Sequence, residues 1–147
     1  MHRDIKPSNI LINHEGKCVL SDFGLSRKFP NNDEALTKHL VTKWYRAPEI
    51  FFGSNSYDEL VDMWSFGCVF GELLLKKPLF NGNSELDILS KIFDLRGTIN
   101  LSDYPEAKNL PNFLQFQNLS PKNLSEIFPN CTAHEKAVFD LCLQLNP

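Results

Sequence analysis

The segment over residues 59–75 constrains the fold of this chain most strongly. Its apolar residues cover nearly every face of a helix, and they are Leu60, Val61, Met63, Trp64, Phe66, Val69, Phe70, Leu73 and Leu74. A helix that is apolar all round is buried inside a domain. Asp62 and Glu72 interrupt the run, which is also shorter than the roughly 20 residues that a membrane span needs. We therefore predict a buried helix at the centre of a globular domain, and no membrane partner.

The composition is that of an ordinary globular protein, and it excludes several classes. Hydrophobic residues make up 42% of the 147 residues and charged residues 22%, so disordered and fibrous classes do not fit. Fifteen Lys and Arg against 18 Asp and Glu give a net charge of −3, which provides no basic surface for direct nucleic-acid binding. The cysteines form no C-x-x-C pair typical of a zinc site, and they are Cys18, Cys68, Cys131 and Cys142. We expect one domain in a reducing, intracellular compartment.

Local patterns predict a mainly α fold with a small β-hairpin. Two apolar runs, at residues 10–12 and 18–20, flank the spacer NHEGK, whose Asn and Gly are typical of a turn between strands. A further helix is predicted to begin after the N-cap Ser84, with Asp87 as its capping-box partner, and to end near Leu95.

The remaining segments are less regular. Residues 21–43 show no sustained periodicity and are predicted as a long loop, and residues 98–130 as a loop-rich insertion. A last amphipathic helix is predicted over about residues 133–145. Helices therefore dominate the predicted fold.

Residues 2–9 have the sequence HRDIKPSN, which fits the H-R-D-x-x-x-x-N catalytic loop of protein kinases. Phosphoryl transfer needs a carboxylate to orient the attacking hydroxyl and accept its proton, and Asp4 is placed for that role. Lys6 offers a cation to offset charge on the transferred group, and Asn9 offers an amide oxygen to magnesium. The spacing thus predicts Asp4 and Lys6 as catalytic and Asn9 as a metal ligand.

Two further motifs follow in the order that this chemistry requires. Residues 22–24 are DFG, in which Asp22 supplies a carboxylate as the second metal ligand and contributes to nucleotide binding together with Lys6 and Asn9. Residues 47–49 are APE, which closes the segment that Asp22 opens. Three ordered motifs make coincidence an inadequate explanation.

From residue 1 to 147 the chain resembles the C-terminal lobe of a eukaryotic serine/threonine protein kinase. The stretches VTKWYRAPE at residues 41–49 and DMWSFGC at 62–68 resemble the cyclin-dependent kinase branch. Residues 34–37 and 83–98 are similar to the subgroup that activates other cyclin-dependent kinases and phosphorylates the RNA polymerase II tail. The resemblance implies a partial kinase catalytic domain over 1–147, without the N-terminal lobe and the last C-terminal helices of the two-lobed α+β fold.

The resemblance also implies an activating phosphorylation site. Thr37 matches the family's activating phosphothreonine, and Arg3 and Arg27 match the two guanidinium groups of this lobe that bind the phosphate. The alternative for Arg27 is an ordinary solvated surface charge.

A substrate pocket is implied in the same way. Thr42 matches the threonine that hydrogen-bonds the catalytic aspartate and lysine, and Leu40, Val41 and Arg46 match the pocket for the residue after the phosphoacceptor. In this branch the arginine hydrogen-bonds the backbone carbonyl oxygen in the pocket. The amide N–H of the substrate residue after the phosphoacceptor then has no acceptor there. Proline lacks that N–H, which implies Ser/Thr-Pro substrates.

The resemblance implies structural roles for two carboxylates. Asp62 matches the carboxylate that braces the catalytic loop from the central helix, the alternative being an exposed helix charge. Glu49 matches a glutamate that pairs with an arginine beyond residue 147, so we expect it to be partly buried without that partner. Ser21 and Lys43 depart from the branch pattern, and we expect little effect from either.

The implied full-length parent is an ATP- and Mg²⁺-dependent serine/threonine kinase acting in cell-cycle control or transcription. Its implied partners are a cyclin, bound through the N-terminal lobe, and Ser/Thr-Pro proteins; its implied location is the nucleus, with the cytoplasm as the alternative. We expect the chain alone to be inactive, because it has no glycine-rich loop and no strand lysine. The alternative is a non-catalytic binding module or decoy, which stop codons directly upstream of Met1 would favour.

Overall fold

The computed structural model describes residues 1–28 and 43–147. The predictions made for Thr37, Leu40, Val41 and Thr42 lie outside the described residues.

The described residues form a mainly helical body with one antiparallel hairpin, which confirms the predicted fold class. The strands are β1 (Ile10–Ile12) and β2 (Cys18–Leu20), and the helices are α1 (Pro48–Phe51), α2 (Leu60–Leu75), α3 (Glu85–Arg96), α4 (Leu124–Ile127) and α5 (Ala133–Cys142). Short 3-10 turns cover Pro7–Asn9, Phe23–Leu25, Lys43–Tyr45 and Pro105–Asn109.

The hairpin forms where the two apolar runs predict it. Ile10 pairs with Leu20 and Ile12 with Cys18, and the Asn13 side chain accepts the backbone N–H groups of Glu15 and Lys17 in the turn. Gly16 adopts a φ of +80°, which glycine tolerates without a steric penalty. The hairpin directly follows the HRDIKPSN segment and therefore fixes the spacing between this segment and DFG.

Helix α2 is the centre of the fold, as predicted. Trp64 is buried and stacks on Phe80, and the Ser65 hydroxyl lies 2.8 Å from the carbonyl oxygen of Tyr45. Gly67 and Gly71 let α5 approach closely, because a Cβ atom at either position would lie less than 3 Å from α5 side chains (2.8 Å from Cys142 and 2.7 Å from Phe139).

The prediction that α2 is buried on every face is wrong. Met63 and Phe66 are exposed, and Leu73 is 71% exposed. Helix α5 and the turn before α1 cover the faces that carry the glycines and Ser65, and Phe80 packs on Trp64. Apolar composition therefore identified the central helix but not which side of it is covered.

Helix α3 begins as predicted, with the Ser84 hydroxyl accepting the Asp87 N–H. The Asp87 carboxylate does not complete a capping box on Ser84; it accepts the N–H of Asn83, one residue earlier, and the ammonium group of Lys91. The helix contributes Ile92, Phe93 and further apolar residues to the core.

The C-terminal part also differs in detail from the prediction. Helix α5 ends at Cys142 rather than near residue 145, and its start carries a capping box between Thr132 and Glu135. The insertion over 98–130 contains the 3-10 turn and α4 between its loops. In the part of the chain that the structure describes, no helix combines the length and the apolar character that crossing a bilayer requires.

Candidate active site

The candidate site is built around Asp4, which is only 4% exposed. Lys6 Nζ lies 2.8 Å from Asp4 Oδ2. The side-chain amide of Asn9 donates to the same Oδ2 at 3.0 Å and to the Asp4 carbonyl oxygen at 2.9 Å. A cation and an amide therefore hold one carboxylate oxygen in place, as a buried charge requires.

The other carboxylate oxygen of Asp4 differs from Oδ2. Oδ1 is buried, and among residues 1–28 and 43–147 it has no hydrogen-bond partner. A buried acceptor without a partner is costly, and such atoms are concentrated at functional sites. The carboxylate is thus fixed through one oxygen and able to accept a proton through the other.

The orientation of Asn9 follows from its contacts. Both contacts of its amide nitrogen are to acceptor atoms of Asp4, so the nitrogen rather than the oxygen must face Asp4. The amide oxygen is then directed away from Asp4 and remains able to bind a cation. This is the property that the sequence assigns to Asn9.

Ser21 connects Asn9 to Asp22. Its backbone N–H donates to the Asn9 carbonyl oxygen at 2.9 Å, and its hydroxyl donates to the same atom at 3.1 Å. The ring Nε2 of His2 lies 3.0 Å from the Ser21 carbonyl oxygen. The two predicted metal ligands are therefore linked through one hydrogen-bonded residue.

Asp22 has an unusual backbone conformation for a residue other than glycine. Its φ is +61°, in the left-handed region, and its carboxylate accepts the N–H of Gly24 at 3.4 Å. The carboxylate is exposed, and the neighbouring Phe23 ring packs edge-on against His2 with centroids 4.9 Å apart. Such strained backbone at an exposed acid is typical of a binding position.

Asp62 holds the start of the catalytic-loop segment from α2. Its two carboxylate oxygens accept the backbone N–H groups of His2 at 2.6 Å and of Arg3 at 2.7 Å. These contacts fix a backbone that is itself in the left-handed region, with a φ of +67° at Arg3. The geometry is that required by the bracing role that the resemblance implies.

Arg3 and Arg27 are the residues predicted to bind the phosphate. The Arg3 guanidinium is buried and donates to the Leu25 carbonyl oxygen at 2.7 Å and to the Tyr57 hydroxyl at 3.2 Å. The backbone of Arg27 exchanges hydrogen bonds with Met1. Since Thr37 lies outside the described residues, the joint phosphate site stays a prediction.

Arg46 contacts the first residue of α3. Its guanidinium lies 3.4 Å from Glu85 Oε1 and 5.2 Å from the centroid of the Phe51 ring. Burial lowers the pKa of Arg46, and the Glu85 charge partly offsets this effect. Its predicted pocket neighbours lie outside the described residues.

Glu49 is 6% exposed and therefore more deeply buried than the partial burial that the resemblance implies. Desolvation raises the pKa of its carboxyl to about 7, Asp58 adds to the increase, and the hydrogen bond from its own backbone N–H opposes it. Glu49 lines a small cavity with Met63, Trp64 and Leu141. It lies apart from the cluster around Asp4.

The donor set around Asp4 fits a hard divalent cation and a phosphate-bearing nucleotide. An exposed carboxylate on Asp22 and an outward amide oxygen on Asn9 are oxygen ligands of the kind that Mg²⁺ prefers. Within the described ranges, no group of three or more His, Cys, Asp or Glu is placed to hold a metal.

Two contributors were not identified from the sequence. Ser21 holds Asn9 through two hydrogen bonds, although we expected little of this departure from the branch pattern. Glu85 contacts both Lys43 and Arg46, and no local motif indicates this contact because α3 is distant in sequence. The one feature of Glu85 that the sequence shows is its position directly after the N-cap Ser84.

Comparison with known proteins agrees with the geometry. The protein kinase domain family matches residues 1–146. Cyclin-dependent kinase C-3 of Oryza sativa subsp. japonica is 45% identical over 150 residues, covering 100% of this chain and 46% of that protein. A probable serine/threonine-protein kinase of Encephalitozoon cuniculi, a KIN28 homolog, is 44% identical over 147 residues, covering 100% of this chain and 47% of that protein.

A solved structure has the same fold. The CAK complex from Chaetomium thermophilum bound to ATP-gamma-S contains a chain with a TM-score of 0.93 and 34% identity; the match covers 100% of this chain and 47% of that chain. This chain therefore spans about half the length of these relatives. It belongs to the protein kinase domain family, and its relatives include cyclin-dependent kinases.

Proposed function

We propose that this chain carries the catalytic-loop lobe of an ATP-dependent serine/threonine protein kinase of the cyclin-dependent type. The observation that carries the proposal is the buried Oδ1 of Asp4, which is without a hydrogen bond in the described part of the chain while Lys6 and Asn9 hold Oδ2. A carboxylate fixed in this way is prepared to receive a proton from one direction.

The proposed reaction assigns a role to each of these groups. Asp4 Oδ1 accepts the hydrogen of a substrate serine or threonine hydroxyl, whose oxygen forms a bond to the γ-phosphorus of ATP while the bond to ADP breaks. Lys6, 2.8 Å from Asp4, supplies positive charge beside the transferred group. The products are a phosphorylated side chain, ADP and the proton taken by Asp4.

Asn9 and Asp22 would hold Mg²⁺. When bound, the cation offsets the negative charge of the phosphates. Ser21 keeps the two ligands in register, because its N–H and hydroxyl both contact Asn9 and Asp22 is the next residue. The nucleotide of the solved relative, ATP-gamma-S, supports ATP as the donor here.

The proposal also includes an activating phosphorylation site and a substrate pocket. Thr37 is the proposed activating phosphosite, bound by Arg3 and Arg27 once phosphorylated. Thr42, Leu40 and Val41 complete the catalytic and pocket residues. With Arg46, the pocket selects Ser/Thr-Pro substrates.

The proposed partner rests on the relatives, and the proposed location rests on the sequence resemblance. A cyclin is the proposed activating partner, because the matched proteins include cyclin-dependent kinases. Proteins with Ser/Thr-Pro sites are the proposed substrates, in cell-cycle control or transcription. The nucleus is the proposed location.

The proposal is tested with the full-length parent kinase and its cyclin, by phosphate transfer from ATP to a Ser-Pro peptide. Asp4→Asn is expected to lower kcat by about a hundredfold or more, because the proton acceptor and the ion pair with Lys6 are lost. Asp94→Asn is the matched control, since Asp94 is exposed and pairs with Lys122. Activity of Asp4→Asn within tenfold of the parent would contradict the proposal.

A further inference from the structure

Glu85 links the first turn of α3 to the segment that leads into the proposed substrate pocket. Its Oε1 atom lies 3.4 Å from Arg46 Nη1 and 3.2 Å from Lys43 Nζ. Lys43 is the first residue of the 3-10 turn before α1 and Arg46 directly follows that turn, whereas Glu85 is the first residue of α3. One carboxylate oxygen thus receives two cations from another element.

The burial of these groups is unequal, and this decides which contact matters. The Arg46 side chain is 8% exposed, that of Glu85 48% and that of Lys43 55%. An ion pair between two exposed side chains contributes little, whereas a buried guanidinium depends strongly on the charges that face it. The contact with Arg46 is therefore the consequential one.

A second connection keeps the two elements together. The indole N–H of Trp44 donates to the Gly82 carbonyl oxygen at 2.9 Å. Glycine is needed at position 82, since a Cβ atom there would lie 2.5 Å from the Ile88 side chain. The loop before α3 is thus fixed against the turn, which places Glu85 within reach of Arg46.

We infer that Glu85 is a positioning residue for substrate selection: its carboxylate holds the Arg46 guanidinium in the orientation that gives the pocket its preference for proline. This inference rests on the proposed proline-directed kinase activity. Glu85 acts through Arg46 and does not touch the reacting atoms. Lys43 competes with Arg46 for the Glu85 Oε1 atom. Lys43 departs from the branch pattern, and this competition gives it a role.

The inference predicts a change in selectivity rather than in chemistry. In the full-length kinase–cyclin complex, Glu85→Gln is expected to lower the ratio of kcat/KM for a Ser-Pro peptide over a Ser-Ala peptide by about threefold to tenfold. The KM for ATP stays unchanged. Lys43→Met is expected to keep the ratio at or above that of the parent, because Glu85 then serves Arg46 alone.

Asp87→Asn is the matched control. Asp87 lies in the same turn of α3, but its carboxylate contacts Asn83 and Lys91 rather than the turn before α1. The peptide ratio of this variant should equal that of the parent. A ratio within 1.5-fold (about the error of such assays) for Glu85→Gln overturns the inference.

A second measurement does not depend on activity. Thermal unfolding of full-length Glu85→Gln, Arg46→Lys and the double variant should be non-additive, because each single change breaks the same contact. Additive effects overturn the inference. If the two positions are coupled but the protein phosphorylates no Ser-Pro peptide, the contact is supported and the proposed kinase function is refuted. Failure of the inference and failure of the proposed function therefore give different results.

Discussion

Two adjacent regions of this molecule differ in what surrounds their side chains. In the HRDIKPSN segment, the charged Asp4 is 4% exposed. In the hairpin that begins directly after it, the apolar Leu11 and Ile12 are 52% and 68% exposed. The usual relation between polarity and burial is therefore reversed across a few residues.

This reversed relation between polarity and burial follows from the contacts of the two regions. The buried Asp4 carboxylate contacts Lys6 and Asn9 of the same chain, and Asp62 accepts the backbone N–H groups of His2 and Arg3 beside it. The hairpin side chains are exposed on a surface that nothing in the described residues covers. The side chains of the proposed site are thus held by contacts within the chain, whereas the hairpin exposes apolar side chains.

The largest expected effect comes from breaking the polar region. Asp62→Asn replaces an acceptor of two backbone N–H groups with a side chain that places an amide N–H against one of them. We expect a loss of about 3 kcal/mol in the free energy of unfolding of the 147-residue chain, measured with urea. Glu59→Gln is the control, since Glu59 is exposed at the start of the same helix; an equal loss in both variants would refute the bracing role.

The second prediction concerns a buried carboxylate that lies outside the polar region. The folded chain keeps the Glu49 proton up to about pH 7, whereas the unfolded chain releases it near the ordinary value of 4.5. Since the folded state binds more protons in this window, the free energy of unfolding falls as pH rises from about 4.5 to about 7. The fall amounts to about 2–3 kcal/mol.

Glu49→Gln should remove this part of the pH dependence and stabilise the 147-residue chain at pH 7. Denaturant unfolding at several pH values measures both effects. Glu106→Gln, at an exposed position, should leave the profile unchanged. A Glu49→Gln profile that parallels that of the parent would show that Glu49 does not retain its proton.

The smallest expected effect comes from the hairpin. Ile12→Thr changes a side chain that is 68% exposed and keeps β-branching, so the free energy of unfolding should change by less than about 0.5 kcal/mol. Ile92→Thr, at a fully buried position of α3, should cost several times as much by the same urea measurement. Equal losses would mean that the hairpin is covered in solution.

The sequence predicted this contrast only in part. Motif spacing predicted Asp4, Lys6, Asn9 and Asp22 as site residues, and the structure places Lys6 and Asn9 in contact with Asp4. Local patterns also located the hairpin and the central helix, since both depend on neighbours in sequence.

What the sequence did not predict depends on distant packing. The exposed faces of α2, the role of Ser21 and the contact of Glu85 with Arg46 follow from which elements lie together in space. The Asp87 carboxylate likewise accepts the N–H of Asn83 instead of that of Ser84. Helix propensity does not determine which of these two neighbouring N–H groups is bound. Periodicity indicates that a face is apolar, but only tertiary contacts show what covers it.

Amide hydrogen exchange on the 147-residue chain tests most directly whether the polar region is assembled by this lobe alone. The Arg3 amide, bound by Asp62, and the Ser21 amide, bound by the Asn9 carbonyl, should exchange slowly. The Glu15 and Lys17 amides in the exposed hairpin turn should exchange quickly. Rapid exchange at Arg3 and Ser21, equal to that of the turn, would contradict the account.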